Sequence, residues 1–515
     1  MATAAIARDR LKVAVALDQH AAQSVPAPIK ARAHEVTRPS RQRKLARDWG
    51  SGNNIVGMDA RQLRDQARHL ERDLDLADNA LNILVQNTVG SGIDVLSAPR
   101  LPGQPIVREL ALQLDDLWDR WWDAPEVTGR HDYGASQQLL FRTRCRDGES
   151  FYQHLLGHVP YLEHGSEVPY SIELIEPDLI PLDFTDPSRR ILQGAERNAW
   201  GRVIAWHIYK NHPGDAFGLS TDTKRVDASV IGQVANIKRL HQVRGLSVFA
   251  SAMSRFEDVK DYEESERIAA KVAASLTAAI TKDKDVSPGA GSPFAAQALV
   301  QDGIPMRDLR MAPGMIFDDL LPGEDIAMIA SDRPNPGAAT WRKEQLRAAA
   351  GGIGVSYSSL SLDYNGTYSA QRQELVEKWG GYLILAEEFI AQAVRKHRLQ
   401  FVHACVLAGL VRLPHGWNLR HLAASTYVRP VMPWIDPLKE AYARGEAEDR
   451  GWVSPQQNTL QYGNNPNDVM TQTADWRRLR EANDLGADEQ ASPAQTEARA
   501  QVRASVVQEM LKSRS

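Results

Sequence analysis

Apolar residues recur along this chain with two different periods, and each change of period marks a change of element. Leu63, Ala67, Leu70, Leu74, Ala77, Leu81 and Leu84 advance in alternating steps of four and three, which places them on one face of a helix. Asp59 with Gln62 forms a capping box expected to open that helix, and Gly90 and Gly92 in "NTVGSGIDV" are expected to stop it. Between residues 141 and 210 the period falls to two and β-forming residues dominate, in "RDGESFYQHLL", "PYSIELIEPDLIPLDF" and "ILQGAERNAWGRVIAWHIYK". The last of these holds two runs around Asn198 to Gly201, the pattern of a hairpin. A long helix is expected again at "SRFEDVKDYEESERIAAKVAASLTAAI", opened by Ser254 and Glu257. Phe256, Val259, Ile268, Val272, Leu276 and Ile280 form its apolar stripe, and Ala269, Ala270, Ala273 and Ala274 leave room for a close helix neighbour. A Pro/Gly/Ser break, "TKDKDVSPGAGSPF", leads through short strand-like pieces to the helix "TWRKEQLRAAAGG", expected to end at Gly351 and Gly352. From Ser369 onward, Leu375, Trp379, Tyr382, Ala386, Phe389, Ala393 and His397 define another long helix. The intervening "GVSYSSLSLDYNGTYSAQR", residues 354–372, reads as a loop between two helices. The fold class is therefore α+β, with a polar, helix-prone segment after residue 436.

Composition narrows the function classes. The 515 residues can bury more than one core, and 61 Lys and Arg against 65 Asp and Glu leave a net charge of -4. A chain of that charge does not clamp nucleic acid over its whole surface, so any such contact is local. The basic excess is concentrated in residues 1–48, which hold ten basic and four acidic residues and read as a flexible arm. Cys145 and Cys405 are too far apart in sequence for a paired ligand motif and too few for a disulfide framework. No run of residues reaches the roughly 18 uncharged apolar residues of a membrane helix.

The usual catalytic patterns are missing. The dipeptide Gly-Lys never occurs, which removes the P-loop, and G-x-S-x-G is absent as well. His154, His158, Glu163 and His164 are near one another, but in a strand-and-turn context that does not supply helical metal-ligand spacing. Asp318, Asp319, Glu324 and Asp325 flank a Pro-Gly turn. They suit either a partner-docking edge or a divalent cation for phosphodiester chemistry. Residues 354–372 hold three tyrosines, six serines or threonines and no lysine. Neutral hydroxyls can bond phosphates without the counterion-release affinity of a lysine row, so they permit contact without capture. The same tyrosines could instead anchor the loop against its neighbouring helices.

Several stretches, in order, resemble the portal proteins of lambda-like tailed bacteriophages: "RDLDLADNALNILVQNTVGSGI", "FRTRCRDGESFY", "ELIEPDLI", "HQVRGLSVFASAM", "LLPGEDI", "GVSYSSLSLDYNGTYSAQR" and "PWIDPLKE". The resemblance spans roughly residues 41 to 485. It implies a non-enzymatic ring subunit, one of about twelve copies at a capsid vertex, through which double-stranded DNA is packaged and ejected. It further implies a flexible arm at 1–48, an α/β wing at 49–250 and 369–435, and stem helices at 251–281 and 337–352. A small mixed clip would occupy 282–336, a tunnel loop 353–368, and a helical crown or tail 436–515. The loop residues facing DNA would be Tyr357, Ser358, Ser359, Ser361, Tyr364, Asn365, Thr367 and Tyr368, and the docking carboxylates Asp318, Asp319, Glu324 and Asp325. Expected partners are the terminase large subunit, a head-completion or adaptor protein, the major capsid protein and scaffold, with no cofactor, metal or membrane. The expected location is the virion, with assembly in the host cytoplasm. Another head or connector protein, or a metal-dependent DNA-processing enzyme, is the alternative.

Overall fold

Leu74 breaks the first expected helix in two. Its backbone is extended at φ -131° and ψ 111°, so α1 (Gly52–Asp73) ends there and α2 (Asp75–Thr88) begins at once, with the Asp75 side chain accepting from the Leu76 N–H. The apolar face survives the break: Ala67, Leu70, Leu74, Ala77, Leu81 and Leu84 are buried and Leu63 is partly buried against the core. Asp59 does not cap anything: Val56 is already buried one turn earlier, and α1 starts at Gly52. The computed structural model describes residues 50–215, 222–275, 279–282, 300–301, 304–305, 324–327, 337–432 and 437–482. The basic arm at 1–48, most of 282–336 and the end of the tail from 483 lie outside those residues.

After α2 come β1 (Asp94–Ser97), α3 (Arg108–Trp122) and α4 (Tyr133–Asp147), the last capped by Asp132, whose carboxylate accepts from the Ala135 N–H at 2.6 Å. Strands β2 (Glu149–Leu156), β3 (Tyr170–Ile175) and β8 (Ile231–Ala235) form an antiparallel sheet in the order β3-β2-β8. A second sheet takes β4 (Ile191–Leu192), β5 (Ala195–Arg197), β6 (Val203–Tyr209) and β7 (Thr223–Asp227) in sequence order, with the expected hairpin turn between β5 and β6. Glycine is required in β8, since a methyl group on Gly232 would sit 2.0 Å from the Tyr152 ring.

A 3₁₀ turn at Val248–Ser251, capped by Ser247, leads into α5 (Met253–Ser275), so Ser254 lies inside that helix and does not cap it. Phe256 and Val259 are buried, but Ile268 is 52% exposed, and the side chains from Val272 onward lie outside the described set. Four short strands follow: β9 (Ala279–Lys282), β10 (Val300–Gln301), β11 (Ile304–Pro305) and β12 (Glu324–Ala327). The chain returns as α6 (Ala338–Ile353) beside α5, with Trp341 against Tyr262 at 4.4 Å and Arg255 donating to Gln345 at 2.8 Å.

The short helix α7 (Tyr357–Ser361) precedes a long rod made of α8 (Tyr368–Phe389), a π-helical turn (Ile390–Val394) and α9 (Arg395–Leu407). Within the π turn, the Gln392 side chain bonds both the N–H and the C=O of Ala235 at the end of β8, and the Gln392 backbone carbonyl accepts from the Tyr152 hydroxyl. Beyond the rod, α10 (Leu419–Leu422) and β13 (Ser425–Val428), which pairs with β1, are followed by α11 (Pro437–Asp449), α12 (Pro455–Gln461) and α13 (Pro466–Ala482). The main core is aromatic, with Trp118, Trp121, Tyr133, Tyr170 and Phe401 packed ring to ring between α3, α4, β3 and α9. A smaller core of Phe151, Ile175, Trp206 and Ile208 lies under the four-stranded sheet.

Candidate functional site

The hydroxyl-rich segment is not one loop but two parts with opposite exposures. Helix α6 runs through Gly351 and Gly352 and stops at Gly354, whose φ of 95° is open to glycine without strain and whose N–H closes the helix on the Ala350 carbonyl. Ser356 then caps α7, its hydroxyl accepting from the Ser359 N–H at 3.1 Å. Leu360 is buried, and the Asn79 amide of α2 donates to the Ser359 and Leu360 carbonyls at 3.2 and 3.0 Å.

Most hydroxyls of this first part are engaged inside the chain. Ser358 donates to Glu374 at 2.5 Å, Ser361 donates to the Tyr357 carbonyl at 2.8 Å, and Ser359 shares a contact with Ser356. Tyr357 donates to Asp363 at 3.1 Å, and its ring lies under Lys343 and Arg347 of α6, 5.8 and 5.4 Å from the centroid. Lys343 also pairs with Asp363 at 3.6 Å. The Asn365 N–H and the Tyr357 hydroxyl, both donated to Asp363, hold its carboxyl below the usual carboxylate range. Lys343, Arg347 and Asp363 thus clamp the segment onto α6, a role that sequence reasoning missed. The available signal was the i,i+4 spacing of the two cations on one helix face.

The second part is the tip. Leu362 turns the chain at φ 54°, after which Tyr364 is 58% exposed and Asn365, Gly366 and Thr367 are exposed. Gln371 ties the tip back by donating to the Tyr364 carbonyl, and Thr367 caps α8 by accepting from the Ala370 N–H. Tyr368 is the first residue of α8. Of the eight sequence-predicted loop residues, Tyr357, Ser358, Ser359 and Ser361 are therefore partly buried and bonded, while Tyr364, Asn365 and Thr367 reach solvent.

Two of the four predicted docking carboxylates fall within the described residues. Glu324 and Asp325 lie on β12, which pairs antiparallel with β9 in the register Glu324 with Lys282 and Asp325 with Thr281. Asp318 and Asp319 lie outside the described residues. The pairing brings β12 back beside β9, the strand that follows α5 in the chain.

The histidines near β2 have ordinary structural partners. His154 is buried against the Tyr170 hydroxyl at 2.8 Å, and burial with the charge of Lys396 holds it down to about 3. His164 bonds Ser171 and the Gly157 carbonyl. Among the described residues, Glu176, Asp178 and His212 could together approach a metal ion, but Asp178 is already held by Arg64 and Arg68. Both cysteines are buried and free, with their thiols pushed up by burial, to about 11 for Cys145 and about 12 for Cys405.

Residues 38–385 match the family described as phage portal protein, lambda family. The chain is 24% identical over 463 residues to a probable portal protein of Halomonas phage phiHAP-1, covering 86% of each. Among solved structures it is similar, at 13% identity and a TM-score of 0.41, to the neck of a native gene transfer agent particle computed with C12 symmetry, over 79% of this chain and 94% of that one. It is also similar, at 13% identity and a TM-score of 0.33, to an HK97-family phage portal protein from Corynebacterium diphtheriae, over 67% of this chain and 93% of that one.

Proposed function

The chain belongs to the lambda family of phage portal proteins, and from that premise we propose that it builds a dodecameric ring at one capsid vertex, whose channel passes double-stranded DNA during packaging and ejection. In this reading residues 49–250 and 369–435 form the wing, 251–281 and 337–352 the stem, 282–336 the clip, 353–368 the channel loop and 436–515 the crown or tail. The terminase large subunit docks on the clip during packaging, and a head-completion protein replaces it afterwards. The major capsid protein and scaffold surround the wing in the virion. Assembly takes place in the host cytoplasm, and the reading requires no enzymatic step.

The tip at 362–367 is the observation that supports the channel assignment. It offers a phenol, an amide and a hydroxyl on a short turn fixed between two helices, while Lys343 and Arg347 of α6 are engaged with Asp363, Glu344 and the Tyr357 ring, and Arg372 of α8 is paired with Glu440. Neutral groups so presented can bond a passing phosphate and release it, because no counterions are liberated to tie the duplex down. The clip assignment is supported by the antiparallel β9–β12 pairing, which joins residues near the two ends of 282–336. Charge reversal at Asp318, Asp319, Glu324 and Asp325 is expected to weaken terminase docking through lost electrostatic complementarity.

Native mass spectrometry at low salt, with negative-stain images of the same sample, tests the assembly. A ring of about twelve copies with a central hole supports the reading, since a head-to-tail interface closes only by rotation. A compact closed dimer overturns it.

A further inference from the structure

We propose that one edge of the chain, built from the loop before α3 and the turn after α9, is a binding surface for the phosphate backbone of double-stranded DNA outside the channel. Two stretches without carboxylates meet there. No aspartate or glutamate occurs between Asp94 and Glu109, or between Glu388 and Asp436. The fold places them side by side: β1 pairs with β13, the Ala98 and Arg100 N–H groups donate to the Ala424 and His421 carbonyls at 2.8 and 3.3 Å, and Gln113 donates to the Leu410 carbonyl at 2.9 Å.

Arg100, Arg108, Arg412 and Arg420 project from this edge, all exposed. Among the described residues none of these four guanidinium groups has an ion-pair or hydrogen-bond partner. The buried or part-buried Arg64, Arg68, Arg142, Arg146 and Arg244 are, by contrast, bound to carboxylates. His415 and His421 lie among the four, and the flanking carboxylates on α3 are Glu109, Asp115, which accepts from the Ser97 N–H at 2.9 Å, and Asp116, which is paired with Arg120. Arg100 and Arg412 lie on loops, Arg108 opens α3 and Arg420 lies in α10; unpaired guanidinium groups so held keep their fork free for an external anion, and phosphate matches that fork.

The placement opposes the channel loop. The rod from Tyr368 to Leu407 begins at the tip and ends at the basic edge, a span of about 60 Å at ~1.5 Å per residue. With the tip in the channel, the edge faces away from it; that orientation rests on the function proposed above, whereas the charge of the edge does not. A duplex contacts neutral groups where it must slide and cations where it can be held.

The test uses the full chain and a covalently closed, relaxed DNA circle, which cannot thread a closed ring and so reports binding outside the channel. Native mass spectrometry on each sample establishes the assembly independently, so the loss of the ring and the failure of this inference are separate results. The variant removes all four guanidinium groups (Arg100→Ala, Arg108→Ala, Arg412→Ala and Arg420→Ala), and a second replaces each with lysine. Circular dichroism and thermal melting check that both fold as the parent does. The alanine variant is expected to bind the circle about tenfold or more weakly at low salt, with a salt slope lower by about three to four, while the lysine variant stays close to the parent. An alanine variant that binds the circle as the parent does overturns the inference. Displacement of the circle by poly-glutamate at charge concentrations where free duplex fails to compete also overturns it, and assigns the edge to an acidic protein.

Discussion

At the scale of single residues the tightest constraint is a buried carboxylate. Glu149 is fully buried and holds Arg244 at 2.7 Å and Arg64 at 3.4 Å, while Arg244 also donates to the Gln193 carbonyl at 2.8 Å. Removing the charge leaves Arg244 buried without a carboxylate and Arg64 with Asp178 alone, so Glu149→Gln is expected to cost about 3–5 kcal/mol, read as a lower melting temperature. Asp178 adds a pH dependence. Burial pushes its carboxyl up, but Arg64 and Arg68 together push it further down, leaving it below the ordinary 3.8. A carboxylate depressed in the folded state stabilises the fold above its unfolded value and loses that contribution as pH falls through the folded one. The parent should therefore lose stability below about pH 4, and Asp178→Asn should be less stable at pH 7 with a flatter acid limb in the same melts. None of this network was legible in the sequence, where these residues look like ordinary charges scattered over separate segments. Partners separated by 85 and 95 positions leave no local signal. The loop hydroxyls were legible as a cluster, but the division into bonded Ser358 and Ser361 and exposed Tyr364 depends on Glu374 and the backbone of α7.

Elements were read best where one face repeats and worst where a backbone feature breaks the repeat. The four-three spacing from Leu63 to Leu84 marked the correct buried face, yet Leu74 keeps its place on that face by leaving helical geometry, which spacing cannot register. The π turn is similar: Ala393 and His397 are buried as the periodicity implied, while the turn exists to present Gln392 to Ala235. Gly351 and Gly352 looked like a stop, but a helix tolerates them and ends where Gly354 adopts positive φ. Glycine positions also make a two-sided prediction. Gly232→Ala drives a methyl into the Tyr152 ring and should cost about 1–3 kcal/mol or more through overpacking, loosening the Tyr152 bond to Gln392. Gly380→Ala, inside α8 with nothing within 4 Å of the new methyl, should gain up to about 1 kcal/mol from helix propensity. Denaturant melts of the two variants should move in opposite directions; a gain for Gly232→Ala would mean that β8 can yield.

For the whole molecule, the decisive separation is between residues that hold the subunit together and residues that the proposed function assigns to DNA contact. Tyr357 belongs to the first group, since its ring and hydroxyl are bound to Lys343, Arg347 and Asp363, and its loss should destabilise the junction of α6 and α7. Tyr364 sits beyond that clamp, with its ring exposed and only its backbone carbonyl tied down, by Gln371. Tyr364→Ala combined with Tyr368→Ala is accordingly expected to leave ring assembly intact and to impair DNA packaging or retention, measured as packaged DNA per assembled particle. Tyr357→Phe provides the contrast, because it keeps the ring under the two cations but removes the hydroxyl donated to Asp363. It should lower the melting temperature by the equivalent of about 0.5–1.5 kcal/mol and leave packaging near the parental level. If the double tip variant loses assembly, the tip tyrosines are packing anchors and the channel contact must be sought elsewhere. If assembly and packaging both survive, the duplex passes without leaning on these rings, and the neutral backbone and amide groups of Asn365 and Gly366 become the remaining contacts at the tip.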